Sequence, residues 1–328
     1  MNIFFKTPLS TKWIEAMETI RKEFSEVTLA ADDAEGRMNL KNADAWVAGQ
    51  PSLSMDDLQA AKKLKIIFAP YAGVNTLPVA EIQKRRICIA NVHVNAPFVA
   101  ERAIALALAF YGKIINYHND LKHFQWHGYW AGSGIKDTWN SIRGRNCAVV
   151  GAGEIGKAIA RHLKAFGCPV IGFKKHAQNG SMESFDAVTT DLWEAVGKSE
   201  LIFVCLPLTR ETRGIIGESI LKKMSGKFVV NVGRGDLIEE KAFFESLKEG
   251  VLKGAAIDAW YAYPQPGNPK MSPSRYPFHE LPNVVLSPHV AGFTPEAAAL
   301  NIEATVENIR AYLKTGHPRT EVDLDAMY

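Results

Sequence analysis

Three residues whose side chains could act together on a small substrate stand at the ends of apolar runs. Arg234 follows the run KFVVNVG, Asp258 lies near the end of GAAIDAW, and His289 follows NVVLSP. Ligands of open α/β sheets bind beyond the carboxyl ends of the strands, so we expect these side chains to converge. An arginine pairs with a carboxylate and polarises a carbonyl, and a histidine exchanges a proton near neutral pH. Together they suit hydride chemistry on a keto acid, whereas each one alone is more typical of a structural role.

A glycine-rich turn indicates where a nucleotide would bind. The segment GAGEIG follows the apolar run CAVV and opens the helical run KAIARHLKAFG, which is the context that a dinucleotide-binding turn requires. Gly151 permits the tight turn, Gly153 lets the backbone approach a pyrophosphate, and Gly156 allows the helix to pack closely on the strand. The helix N-terminus at Glu154 and Ile155 offers N–H groups and the positive end of the helix dipole to the phosphates. A methyltransferase that uses a similar turn is the alternative interpretation of this segment alone.

The residues after the next predicted strand bear on the choice of cofactor. An acidic residue normally ends this strand and hydrogen-bonds the adenine ribose of NAD. Here the run PVIGF is followed by Lys174 and Lys175, with no carboxylate. Two cations would pair with a ribose 2′-phosphate, so the sequence favours NADP as the cofactor, with NAD as the alternative. In a purely structural interpretation, the same pair is only a solvated strand end.

The elements that must position these residues alternate between strand and helix. The alternation runs through the first 92 residues and resumes after residue 145, and it predicts an α/β fold with two doubly wound parallel sheets. One long helix is expected over Phe98–His118 and a last helix over Pro295–Leu313. The aromatic stretch between the two blocks is interpreted either as dimer packing or as a substrate lid. The predicted strands are Asn2–Phe5, Ala45–Gly49, Lys65–Pro70, Ile87–Val92, Cys147–Gly151, Pro169–Phe173, Leu201–Pro207, Lys227–Gly233, Gly254–Trp260 and Asn283–Pro288.

The composition is that of a globular protein and excludes several classes of partner. The 328 residues suggest two domains. The 38 basic and 35 acidic side chains give a net charge of +3, which is too balanced to predict binding to nucleic acid or to an anionic membrane. No apolar run reaches the roughly 20 residues of a membrane span, and the N-terminus shows no secretory signal pattern. The four cysteines form no close pairs, so we expect reduced thiols, no metal site and a cytoplasmic location.

A series of motifs occurs in an order that is specific, although no single motif is. The segments are Ala72–Asn75, Asn91 with Val99–Glu101, Gly151–Gly156, Leu206–Thr209 with Thr212, Gly233–Gly235, Asp258 and Ser287–Gly292. In this order they resemble the D-isomer-specific 2-hydroxyacid dehydrogenases, which include glyoxylate/hydroxypyruvate reductases and phosphoglycerate dehydrogenase. The resemblance implies a Rossmann cofactor domain over 98–292, inserted into a flavodoxin-like substrate domain over 1–97 and 293–328. It also implies an active site in the cleft between the domains and a homodimer built around the cofactor domain.

The resemblance further implies a role for each matching residue. Arg234 would be a catalytic residue, His289 the catalytic acid and base, and Asp258 a contact of the nicotinamide end of the cofactor. The implied substrate-binding residues are Ala72, Gly73 and Val74, through their backbone N–H groups, with Arg234 and His289. The implied cofactor-binding residues are Gly151, Gly153, Glu154, Ile155, Gly156, Lys174, Lys175, Leu206, Pro207, Thr212, Val232, Gly233, Arg234, Asp258, His289 and Gly292.

One catalytic position departs from the family pattern. The family usually carries a glutamate five residues after the aspartate and just before a proline, and this glutamate orients the catalytic histidine. Here Tyr263 stands at that position, before Pro264. A glutamate beside a histidine favours the imidazolium, whereas a tyrosine can hydrogen-bond the ring but carries no charge near neutral pH. We therefore expect Tyr263 to face His289 in the catalytic site, unless a carboxylate such as Glu280 or Glu296 fills the role.

These inferences together predict an enzyme. The expected reaction is the NAD(P)H-dependent reduction of a small 2-keto acid, similar to glyoxylate or hydroxypyruvate, to a D-2-hydroxy acid, and the reverse oxidation. The alternative is a non-enzymatic dinucleotide-sensing or scaffold protein on the same fold, which the missing glutamate would permit. The presence of Arg234 and His289 favours the enzyme. The Arg, Asp and His at successive strand ends disfavour a methyltransferase.

Overall fold

The chain divides into two compact units, each built around one parallel sheet. The computed structural model describes residues 1–6, 9–31, 40–48, 53–175, 182, 184–264 and 267–325. Residues 1–95 and 293–328 form the first unit, and residues 96–292 form the second. The second unit begins with the helix at Ala96, two residues before the boundary suggested by the sequence.

The first unit has a five-stranded sheet in the order β2-β1-β3-β4-β5, with every described pairing parallel. This is the flavodoxin-like strand order. Apolar side chains cover both faces, and the three residues of β3 and of β4 are all buried. The strands are β1 (Asn2–Phe5), β2 (Thr28–Ala31), β3 (Ala45–Val47), β4 (Ile66–Phe68) and β5 (Cys88–Ala90), and the helices are α1 (Thr11–Glu23), α2 (Met55–Ala60), α3 (Val79–Lys84) and α10 (Pro295–Thr315).

The second unit has a seven-stranded parallel sheet in the order β12-β11-β10-β9-β6-β7-β8. The order reverses direction between β9 and β6, which is the switch point at which such sheets bind dinucleotides. One face packs on α4 and α6 and the other on α7, α8 and α9. The strands are β6 (Cys147–Val150), β7 (Val170–Phe173), β8 (Ala187–Thr189), β9 (Leu201–Val204), β10 (Phe228–Asn231), β11 (Gly254–Ile257) and β12 (Val284–Leu286). The helices are α4 (Ala96–Tyr111), α5 (Ile114–Lys122), α6 (Glu154–Ala165), α7 (Leu192–Gly197), α8 (Glu218–Lys223) and α9 (Glu240–Lys248).

The predicted fold class, α/β with two doubly wound parallel sheets, is confirmed, but several elements differ from the sequence-based predictions. The prediction of a single helix over Phe98–His118 is wrong. Lys113 adopts a left-handed φ of +49°, and this residue separates α4 from α5. Strands β2 and β8 were not predicted. Both are short edge strands with partly exposed side chains, so they lack the buried apolar signal of the central strands. The final residue of the predicted strand Ala45–Gly49 lies outside the described residues.

The described residues carry neither a membrane-spanning helix nor a cluster of metal-binding side chains. No described helix has both the length and the apolar character to cross a membrane. The same residues hold no group of three or more His, Cys, Asp and Glu side chains that could bind a metal ion. The four cysteines are unpaired, two of them buried and two half-buried.

Candidate active site

The glycine-rich turn leaves space for a phosphate where β6 meets α6. Gly151 has a φ of +120°, which L side chains rarely adopt, and a Cβ atom there would lie 2.9 Å from the backbone that follows β9. A Cβ atom at Gly156 would lie 2.0 Å from the Gly151 carbonyl oxygen, so helix and turn are in contact. At Gly153, however, a Cβ atom would have no neighbour within 4 Å in the described part of the chain. Among the described residues no side chain caps the N-terminus of α6, so the turn and the N–H groups at Glu154 and Ile155 fit the pyrophosphate of a dinucleotide.

The end of β7 carries the two lysines that the sequence analysis singled out. The Lys174 backbone N–H donates a hydrogen bond to the Thr189 carbonyl oxygen, at 3.1 Å, which holds the backbone at the strand end. The Lys175 ammonium forms an ion pair with the Glu211 carboxylate, and both side chains are exposed. Sequence reasoning missed Glu211, because a residue in the loop after β9 shows no local sign of lying beside the end of β7.

The loop after β9 contains three of the predicted cofactor contacts, and it is braced by its own side chains. The Thr212 hydroxyl donates to the Pro207 carbonyl oxygen at 2.7 Å and accepts from the Thr209 N–H at 2.8 Å. The Thr209 hydroxyl in turn accepts from the Glu211 and Thr212 N–H groups at 3.3 and 3.2 Å. Leu206 is buried at the start of the loop. The Thr209 and Thr212 hydroxyls also share a hydrogen bond at 3.2 Å, so the described contacts of the Thr212 side chain all lie within this loop and fix its conformation.

Arg234 is presented by a turn that a buried asparagine holds. Asn231, the last residue of β10, is 1% exposed. Its side chain donates to the Arg234 carbonyl oxygen at 3.0 Å and accepts from the Gly233 N–H at 3.1 Å. Arg234 is half-buried, and its guanidinium donates to the Gly233 carbonyl oxygen at 2.8 Å. Partial burial lowers the pKa of Arg234, but a guanidinium remains charged in proteins. Val232, also predicted to contact the cofactor, is buried in this turn.

Asp258 anchors the loop that carries His289. Its carboxylate is fully buried and accepts hydrogen bonds from the Val290 N–H and the Ala291 N–H, each at 3.0 Å, and from the Ser287 hydroxyl. The loop is further held by the Trp260 indole N–H, which donates to the Ser287 carbonyl oxygen at 2.8 Å. Sequence reasoning placed Asp258 at the end of β11 but did not find this anchoring role, which depends on a loop 30 residues further along the chain.

His289 and Tyr263 lie side by side. Their ring centroids are 5.1 Å apart, with an angle of 48° between the ring planes. Among the described residues the two rings share no hydrogen bond. The Tyr263 hydroxyl instead accepts from the Trp260 N–H at 3.0 Å. His289 has a left-handed φ of +57°, a conformation that the anchored loop imposes on it.

Burial and a neighbouring cation act against the protonation of His289. The surrounding protein atoms, together with the Arg234 guanidinium, lower the pKa of His289, and the Asp258 carboxylate opposes them. His289 nevertheless keeps an exposed surface. The two glutamates considered from the sequence have other surroundings within their own units. Glu280 is exposed beside His279, and Glu296 lies in α10 of the other unit.

The predicted carboxylate-binding segment, Ala72–Val74, follows β4 in the first unit. The Asn91 side-chain amide donates to the Ala72 carbonyl oxygen at 2.8 Å. The Asn91 carbonyl oxygen accepts in turn from the Asn308 amide, at 3.1 Å, and from the Thr320 hydroxyl. Asn308 and Thr320, in the C-terminal part of the chain, thus hold Asn91, and Asn91 holds the segment at Ala72. Gly73 lies between Ala72, which Asn91 holds, and Val74, which is buried.

A parallel sheet with a glycine-rich turn at its switch point, and with Arg, Asp and His at later strand ends, defines a dinucleotide-binding oxidoreductase fold. Residues 104–291 match the family model described as D-isomer specific 2-hydroxyacid dehydrogenase, NAD binding domain. This match covers more than half of the chain. The chain therefore belongs to the D-isomer-specific 2-hydroxyacid dehydrogenases. The family predicted from the motifs is confirmed.

Relatives that are named as enzymes match most of the chain. A glyoxylate reductase of Thermococcus litoralis is 30% identical over 82% of this chain and 80% of its own length. A D-3-phosphoglycerate dehydrogenase of Archaeoglobus fulgidus is 29% identical over 100% of this chain but only 60% of its own length. The chain thus spans about three fifths of that relative. In structure, an NADPH-dependent glyoxylate/hydroxypyruvate reductase of Sinorhizobium meliloti, solved with NADP and malonate, matches 99% of this chain and 97% of its own at 22% identity, with a TM-score of 0.79.

Replacing the buried aspartate tests its anchoring role. We expect Asp258→Asn to lower the free energy of unfolding of the second unit by about 2 kcal/mol, because an amide NH₂ group would face a backbone donor that has lost its acceptor. Urea denaturation followed by circular dichroism measures the change. Asp191→Asn is the matched control, since that carboxylate caps α7 through one bond to the Trp193 N–H at 2.8 Å and asparagine caps helices equally well. Equal stability of the two variants would contradict the anchoring role.

Proposed function

We propose that the protein reduces a small 2-keto acid, similar to glyoxylate or hydroxypyruvate, to the D-2-hydroxy acid with NAD(P)H, and catalyses the reverse oxidation. The observation that carries this proposal is the placement of Arg234 and His289 beyond the ends of β10 and β12, with the Arg234 charge acting on the imidazole. The activities for which the relatives are named, glyoxylate reductase and D-3-phosphoglycerate dehydrogenase, support the same reaction class. A bound reduced nicotinamide would supply the hydride to the carbonyl carbon.

In this proposal each side chain has a defined task. Arg234 binds the substrate carboxylate with its planar donors and polarises the keto oxygen, and the N–H groups of Ala72–Val74 bind the carboxylate as well. The protonated His289 donates its proton to the oxygen as the hydride reaches the carbon, and in the reverse reaction the neutral imidazole accepts it. Asp258 is a positioning residue, because its carboxylate holds the loop of His289. Tyr263 excludes water from one side of the imidazole.

The cofactor is a nicotinamide dinucleotide, since the matched family model is an NAD binding domain. We propose that NADPH is preferred over NADH, because Lys174 and Lys175 follow β7, where a ribose 2′-phosphate would lie. A protein of similar structure was solved with NADP, and this supports NADPH as the preferred cofactor.

A cytoplasmic homodimer is the form in which we propose that the enzyme works. Four unpaired cysteines suit a reducing compartment. The segment after α5 presents large aromatic side chains to solvent, with Phe124 at 89%, Trp126 at 62%, Tyr129 at 78% and Trp130 at 91% exposed. Exposed aromatic residues are enriched at protein interfaces, and this segment is the surface that a second copy would cover.

The second candidate, a non-enzymatic dinucleotide sensor, rests on the missing glutamate beside His289. A sensor needs neither an arginine held at a strand end nor an anchored histidine loop, and the presence of both in this chain supports the enzyme. Incubating the protein with glyoxylate or hydroxypyruvate and each reduced cofactor, while following the nicotinamide absorbance, separates the two candidates. Cofactor oxidation that depends on the keto acid is expected, and binding without turnover would support the sensor.

Arg234 provides the sharpest test of the mechanism. We expect Arg234→Ala to lower kcat/KM for the keto acid by about three orders of magnitude or more, because both the carboxylate contact and the carbonyl polarisation are lost. The Kd for NADPH should change little. Arg234→Lys keeps the charge but not the two-pronged geometry and should remain well below wild type. Near wild-type turnover of Arg234→Ala would remove this residue from the mechanism.

The pH dependence of reduction should report on His289. Reduction needs the protonated imidazole, so kcat/KM should fall as pH rises through the pKa of His289, which lies below its ordinary value of 6.5. Tyr263→Glu would place a carboxylate beside the ring, raise this pKa and move the fall to higher pH. Tyr263→Phe is the control, since it adds no charge and should leave the midpoint near that of wild type. Superimposable profiles for wild type and Tyr263→Glu would mean that this position does not control the charge of His289.

A further inference from the structure

The ion pair between Lys175 and Glu211 spans the dinucleotide-binding turn. Lys175 follows β7 and Glu211 lies in the loop after β9, and the sheet order is β9-β6-β7. The two side chains therefore meet across the end of β6, the strand that leads into the glycine-rich turn. Neighbouring strands lie about 4.8 Å apart, so the pair bridges a gap of about two strand spacings.

Both ends of this bridge have a fixed backbone. The Lys174 N–H is bound to the Thr189 carbonyl oxygen at 3.1 Å, next to Lys175. The Glu211 N–H donates to the Thr209 hydroxyl at 3.3 Å, within the loop that Thr212 closes onto Pro207. By contrast, the likewise exposed ion pair of Glu218 with Lys222 joins residues one helical turn apart and needs no such support.

The ion pair between Lys175 and Glu211 lies at the strand end where the adenine ribose of a dinucleotide would bind. The strand end that should carry an acid for the ribose 2′-hydroxyl of NAD carries lysines instead. Glu211 brings a carboxylate to that same strand end from another loop. A carboxylate accepts a hydrogen bond from a 2′-hydroxyl, whereas it repels a 2′-phosphate and competes with that phosphate for Lys175.

We propose that Glu211 is the specificity-determining acid of the adenine ribose site, supplied by the loop after β9 in place of the missing strand-end acid. The inference rests on the proposed nicotinamide-dependent function. Glu211 accepts from the 2′-hydroxyl of NADH, and Lys174 with Lys175 binds the 2′-phosphate of NADPH. The opposed charges let the site accept both cofactors and restrain the preference for NADPH that the lysines alone would produce.

Direct binding measurements test this inference without relying on turnover. The Kd values of NADH and NADPH are measured by isothermal titration calorimetry for wild type and for Glu211→Gln. Removing the charge should tighten NADPH and weaken NADH, each by about threefold, so that their ratio shifts about tenfold toward NADPH, as expected for exposed charges worth somewhat less than 1 kcal/mol each. Lys175→Gln should shift the ratio in the opposite direction.

Glu218→Gln is the matched control, because it removes an equally exposed carboxylate that pairs with Lys222 on α8. It should leave both Kd values unchanged. A Glu211→Gln ratio within twofold of wild type, or a shift toward NADH, would overturn the assignment of Glu211 while leaving the proposed reaction intact. Failure of the wild-type protein to bind either dinucleotide would overturn the proposed function and this inference together.

Discussion

The arrangement of the candidate site depends on one buried carboxylate. Asp258 has no contact with solvent, and a charge in that position is tolerated only when hydrogen bonds replace its lost hydration. Two backbone N–H groups and one hydroxyl of the Ser287–Ala291 loop provide those bonds. The conformation in which the loop makes these bonds includes the left-handed backbone of His289. The hydrogen bonds that the buried Asp258 carboxylate requires thus fix the position of His289.

The parallel sheet brings the loop that Asp258 holds close to the other strand-end residues of the candidate site. Parallel register places the carboxyl ends of β10, β11 and β12 at one edge, so the turn of Arg234, the carboxylate of Asp258 and the loop of His289 follow adjacent strands. The glycine-rich turn lies at the switch point of the same sheet. Burial lowers the pKa of the His289 imidazole, and the positive charge of the nearby Arg234 lowers it further. Such a histidine is a stronger proton donor than a free one, which suits the proposed reduction of a carbonyl group.

The sequence alone predicted what depends on local pattern. The central strands, the glycine-rich turn and the strand-end positions of Arg234, Asp258 and His289 follow from apolar runs and the residues that end them. The break after α4 was missed, because the left-handed Lys113 lies in an otherwise helical pattern. Contacts between distant segments were also missed. Neither the pairing of Lys175 with Glu211 nor the support of Ala72 by Asn91 has a signal in sequence spacing, since each depends on which strands become neighbours.

The claim that Arg234 and His289 act on one keto acid is tested most directly by a crystal structure with NADPH and oxamate, an unreactive keto acid analogue. We predict that the oxamate carboxylate lies about 3 Å from the Arg234 guanidinium nitrogens and that its amide oxygen lies at a similar distance from a ring nitrogen of His289. The loop of His289 should keep its hydrogen bonds to Asp258. Oxamate bound away from both side chains, beside an otherwise intact cofactor, would contradict the assignment of this site.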